Sequence, residues 1–89
     1  MDIKILKIET VLKLKNKILY GVILKDNTDY QLNDIFNYLK NKKISYGQHV
    51  ANIVDLDGYR SKNNPNIINI FFTLSSKTCL NIGDDIEIS

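Results

Sequence analysis

The chain has 89 residues, 44% of them hydrophobic and 25% charged, with a formal net charge of +2. That length holds one core and one domain, residues 1–89, and the composition excludes an intrinsically disordered chain. Cys79 is the single cysteine, which excludes an internal disulfide and places the chain in a reducing compartment, with the thiol read as a small buried apolar group.

A cytoplasmic protein is expected. No basic and apolar leader opens the chain, and its longest apolar run, residues 18–24, falls far short of the roughly 20 residues that span a bilayer. Charge is unevenly split: residues 1–44 carry nine lysines against five acids, and residues 45–89 carry three basic groups against five acids. Such a basic end either steers a charged partner or keeps a sheet edge solvated. Arg60 is the only arginine in an Ile-, Asn- and Lys-rich composition of the kind an AT-rich genome produces.

From Ile8 the residues alternate, with Ile8, Thr10, Leu12 and Leu14 on one face and lysines prominent on the other, the period of a half-buried strand. Ile3 and Ile5 have the opposite parity, so a bulge or a strand start is expected near Leu6. Asn16 and Lys17 interrupt the run, and residues 18–25 read as a second strand closing a hairpin. A two-residue loop would set Leu12 opposite Gly21 and Thr10 opposite Ile23. A three-residue loop would bring Tyr20, Val22 and Leu24 onto that face. Both faces of the second strand are apolar, so it is expected to be central.

Asp26 to Asp29 is turn chemistry, and residues 30–32 could add a short strand. Residues 31–44 read as the single helix. Leu32, Ile35, Phe36 and Leu39 share a face, Asn33 suits the N-cap, Asp34 the first turn, and Lys40, Lys42 and Lys43 the last. Residues 45–48 then read as a connector, followed by a strand with Val50, Val54 and Leu56 on one face.

Asp57–Gly58 is the residue pair of a type I′ hairpin turn, which would set Asp55 opposite Arg60 and Leu56 opposite Tyr59. Residues 63–66 break the chain around Pro65. Residues 67–75 are strongly strand-forming and apolar on one face through Ile68, Ile70, Phe72 and Leu74, which calls for an inner strand. Residues 75–77 turn, Leu80 and Ile82 precede a turn at residues 83–85, and Ile86 and Ile88 close the chain as a strand.

The fold expected is α+β: a curled antiparallel sheet or small open barrel of five to seven strands with one amphipathic helix packed on it, in the order ββ(β)αββββ. The expected core is Ile8, Leu12, Leu14, Val22, Leu24, Leu32, Ile35, Phe36, Leu39, Val54, Leu56, Ile68, Ile70, Phe72 and Ile86.

Catalytic and metal constellations are sparse. His49 is the only histidine, and with Cys79 it falls short of the three or four ligands of a zinc site. Asp55 and Asp57 open no calcium loop, since no bidentate Glu closes it, and Asp84, Asp85 and Glu87 read as a solvated cap. The expectation is no enzyme, no metal and no cofactor.

Two binding classes remain. Lys7, Lys13, Lys15 and Lys17 beside scattered tyrosines, Tyr20 among them, are what a single-stranded nucleic-acid binder uses for phosphates and for base stacking. The reading carried forward is a binding protein that works by protein–protein contact, of the inhibitor or modulator type found in phages and mobile elements, with a host or defence-system protein as partner. Lys13, Lys15, Lys17, Tyr20, Tyr59 and Arg60 are its candidate contact residues, since Tyr and Arg are enriched at interface hot spots. Pairing through a sheet edge or an apolar face opens a route to a homodimer.

Overall fold

The computed structural model describes residues 1–25, 29–77 and 79–89. Seven antiparallel strands form one curled sheet with a single helix: β1 (Ile5–Lys7), β2 (Thr10–Lys13), β3 (Ile18–Leu24), α1 (Leu32–Leu39), β4 (Lys43–Tyr46), β5 (His49–Arg60), β6 (Ile68–Leu74) and β7 (Asp85–Ile88). The sheet order is β1-β7-β4-β5-β6-β3-β2. Its two edge strands are consecutive in sequence, which forces the sheet to curl into a half-barrel. The switch occurs at Ile8 and Glu9. Ile8 N–H donates to Asp84 O and Glu9 N–H to Gly21 O, each at 2.8 Å, so the chain leaves β7 and joins β3 within one residue. The parity slip expected near Leu6 coincides instead with the start of β1, where Ile5 is exposed and Leu6 and Ile8 are buried.

The concave side holds the core. Tyr20, Val22 and Leu24 on β3 and Ile68, Ile70 and Phe72 on β6 are buried, and Ile35 and Leu39 of α1 join the same cluster. Ile3, Leu6, Tyr20, Ile44, Ala51, Ile53 and Leu80 are core residues that were not expected. Leu12, Leu14 and Val54 were expected inside and are exposed, at 46%, 49% and 37%. β2 pairs β3 through a two-residue Lys15–Asn16 loop, with Thr10 opposite Gly21 and Leu12 opposite Leu19, two partner positions from the register of an Asn16–Lys17 loop. The buried side of β3 is Tyr20, Val22 and Leu24, and Val11 stands opposite Tyr20, so Leu12 falls on the outer side with Gly21. Val54 adjoins the irregularity in β5.

The helix is shorter than expected. It starts after Gln31, whose carbonyl accepts from Asp34 and Ile35 N–H, so Gln31 and not Asn33 is the N-cap. Residues 30 and 31 therefore lead into the helix rather than forming a strand. The helix stops at Leu39 because Asn41 takes a left-handed conformation (φ 67°), which Asn tolerates better than most residues. Lys42 and Lys43 lie beyond it, and Lys43 to Tyr46 form β4 where the end of the helix and the start of a connector were expected. The turn expected at residues 26–29 lies outside the described residues except for Asp29.

The largest correction concerns Asp57–Gly58. No turn forms there: β5 continues to Arg60, pairing β4 at its start and β6 at its end. A twelve-residue strand with a partner on each side satisfies far more backbone than a local two-residue loop. Gly58 lies opposite Ile70, where an added Cβ would collide with the carbonyl oxygen of Asn69. Glycine is required there by close approach, and not by a turn. The irregularity sits between Val54 and Asp57, with Asp55 left-handed at φ 51°. It reverses the face alternation, so Ala51 and Ile53 point inward while Val50 is exposed.

Candidate functional site

Two surfaces stand out, on different parts of the sheet. The first is the convex face of β2-β3-β6-β5. Registers place Thr10 beside Gly21, Gly21 beside Phe71, and Phe71 beside Asp57, with Ile23, Asn69 and Tyr59 in the neighbouring row. Gly21 leaves room for an aromatic ring. A Cβ there would meet Phe71 Cε1 and Thr10 Cβ, both at 2.9 Å, so the Phe71 ring lies over the bare glycine backbone. Tyr59 stacks on Phe71 at 6.3 Å between centroids and 25° between planes. Tyr59 is 55% exposed, and Leu12 and Ile23 extend the apolar surface around the pair.

The second surface is a groove of about 720 Å³ between the β2–β3 hairpin tip, the β5 irregularity, residues 73–77 and Cys79. Leu14, Ile18, Val54 and Leu74 give it apolar walls, and Lys15, Lys17 and Lys77 surround it. Asp55 accepts a hydrogen bond from the Thr73 hydroxyl at 3.1 Å, which anchors its left-handed backbone. A second groove, about 390 Å³, meets the first at Val54 and Asp55 and runs toward Phe36 and Lys40 of the helix end.

The expected contact residues do not form one patch. Lys13, Lys15 and Lys17 are exposed near the hairpin tip, and Lys15 and Lys17 border the larger groove. Tyr20 is buried at 1% exposure, its ring 6.0 Å from Phe72, and its hydroxyl accepts from Leu80 N–H at 3.3 Å. It belongs to the core and offers no contact surface. Arg60 does not face Asp55. Its guanidinium donates to Pro65 O at 2.7 Å and to Tyr30 O at 3.0 Å, tying the β5–β6 loop to the segment before the helix. Tyr59 alone is both expected and prominently placed.

Phe71 was missed as a site residue. Its signal was the bare Gly21 within an otherwise large-residue strand, a mark of close approach. Cys79, expected to be buried, is exposed at the groove. His49 is exposed at the start of β5. Among the described residues no three His, Cys, Asp or Glu side chains gather as metal ligands, and no helix is long and apolar enough to cross a membrane. No family model matches this chain, and no curated protein matches it.

Proposed function

We propose that the protein is a non-catalytic binding module acting by protein–protein contact through the convex face around Tyr59 and Phe71. The observation that carries this reading is the stacked pair itself, with Tyr59 exposed and Phe71 half-buried. Phe71 is seated over Gly21 and Tyr59 is stacked on Phe71, so the pair presents apolar area at little cost in side-chain entropy, which is how interface anchors work. Leu12 and Ile23 widen it into a contiguous patch, the kind of surface that marks an interaction site. The composition-based reading makes a host or defence-system protein the partner of a phage or mobile-element modulator in the cytoplasm.

Single-stranded nucleic acid is the alternative, supported by the exposed Lys13, Lys15 and Lys17. Stacking and phosphate contacts would have to act together along one strand. Here Lys15 and Lys17 border the groove, while Tyr59 and Phe71 lie on the convex face. That separation favours protein as the partner.

The test is affinity capture with wild-type bait and with Tyr59→Asp bait, alongside oligonucleotide titration at about 0.15 M salt. A discrete partner retained by wild type and lost by Tyr59→Asp supports the reading. A Kd below about 1 μM for single-stranded DNA or RNA at that salt reverses it. Light scattering at about 100 μM protein shows whether a second copy occupies the same face. The apolar run in β6 offers no edge for such pairing, because β6 lies between β5 and β3.

A further inference from the structure

The lysine-bordered groove is separate from the aromatic face and has its own chemistry. Lys15, Lys17 and Lys77 border it, Lys40 borders its extension toward the helix, and among the described residues Asp55 is the only carboxylate in either lining. None of the four lysines makes an ion pair among the described residues, where the two ion pairs are Lys4–Asp2 and Lys7–Asp85. Between the lysines the lining mixes aliphatic Leu14, Ile18, Val54 and Leu74 with the polar Asn16, Thr73, Ser75 and Ser76. The one tyrosine of the lining, Tyr20, is buried at 1% exposure, so no ring is offered to a nucleobase.

We propose that this groove holds an extended acidic segment of a partner protein, with carboxylates against Lys15, Lys17 and Lys77 and aliphatic side chains on the walls between them. Charge complementarity selects the acidic ligand, and the aliphatic part of the lining selects a peptide over a nucleic acid, whose binding needs stacking surfaces. The two grooves meet at Val54 and Asp55, so an occupant can run from the hairpin tip to the helix end. The molecule is 32 Å in its longest dimension, which about ten extended residues would cross at roughly 3.3 Å each. The left-handed Asp55 makes the saddle between the grooves, since the β5 irregularity turns the strand at that point. This inference rests on the protein-binding reading but uses another surface, so the two can fail separately.

The experiment uses the full chain, isotope-labelled, with three probes at about 0.15 M salt: a peptide of about ten residues, glutamate with a leucine at every third position; the same peptide with lysine for glutamate; and oligo(dT) of similar length. The acidic peptide is expected to bind with a Kd of roughly 10–100 μM. It should shift the backbone signals of Lys15, Val54, Asp55 and Lys77 while leaving those of Tyr59 and Phe71 in place. The lysine peptide should bind at least about tenfold more weakly. The combined variant Lys15→Gln, Lys17→Gln, Lys77→Gln, all at exposed positions, should lose about tenfold in affinity with its other signals unchanged. Tyr59→Asp should bind the acidic peptide like wild type. No shifts at about 1 mM acidic peptide, equal binding of the lysine peptide, tighter binding of oligo(dT), or shifts confined to the Tyr59 face would each overturn the proposal. Loss of partner capture by Tyr59→Asp with intact peptide binding would leave the groove standing on its own.

Discussion

The hydroxyl of Tyr20 on β3 accepts a hydrogen bond from the backbone N–H of Leu80 at 3.3 Å, in a pair separated by 60 positions in the chain. Both residues are buried, at 1% and 3% exposure. The bond ties the segment before β7 to β3, near the opposite edge of the curled sheet. Tyr20→Phe keeps the ring against Phe72 but leaves a buried N–H without its acceptor. A loss of about 1–3 kcal/mol is expected in urea unfolding. A variant as stable as wild type would show that water or another group replaces the hydroxyl.

Two glycines of the sheet should respond differently to a methyl group. At Gly58 the added Cβ would strike backbone, the carbonyl oxygen of Asn69, which is held in the β5–β6 ladder. Gly58→Ala should cost about 2–4 kcal/mol. At Gly21 the nearest atoms are Phe71 Cε1, at the end of a ring that can swing aside, and Thr10 Cβ, which yields only by a small shift of edge strand β2. Gly21→Ala should cost only about 1–2 kcal/mol but displace the Phe71 ring from its seat. Equilibrium unfolding of both variants checks the order, and the reverse order would refute the close-approach account of Gly58.

Arg60 acts as a tie between two loops through Pro65 O and Tyr30 O. Truncation to Arg60→Ala should cost about 1–2 kcal/mol and increase hydrogen exchange in residues 61–67. Arg60→Lys should recover less than half of this, since one ammonium cannot span two carbonyls as a planar fork does. Full recovery by lysine would mean that charge alone matters at this position.

Asp55 combines a left-handed backbone with a hydrogen bond from Thr73. Asp55→Asn keeps both the tolerance and an acceptor and should fold like wild type. Asp55→Val loses the acceptor and forces a branched side chain into that conformation, with a cost of about 2 kcal/mol or more. Thermal unfolding of the two variants side by side measures the difference. Equal midpoints would show that the β5 irregularity can move to another residue.

Local periodicity was enough to place β6 inside the sheet and to set Ile35 and Leu39 inward on α1, because side-chain direction repeats every two or 3.6 residues regardless of partners. It also made a curled antiparallel sheet of five to seven strands legible in outline, of which the structure shows seven among the described residues. The end of the helix was legible in principle at Asn41, but the lysines around it pointed to a longer one.

Of the candidate site, the sequence pointed to Tyr59 and the lysines of the first hairpin, but not to Phe71 or to the burial of Tyr20. Those depend on which residue stands opposite which across β3, β6 and β5, and one step of register exchanges the two faces. Asp57–Gly58 shows the same limit most plainly. The dipeptide favours a turn on its own, and the long β5 overrides it because pairing to β4 and β6 at once satisfies more backbone and places the inward residues of β5 in the core. Which strands meet, and in which register, is a property of contacts distant in the chain, and only the tertiary structure decided it.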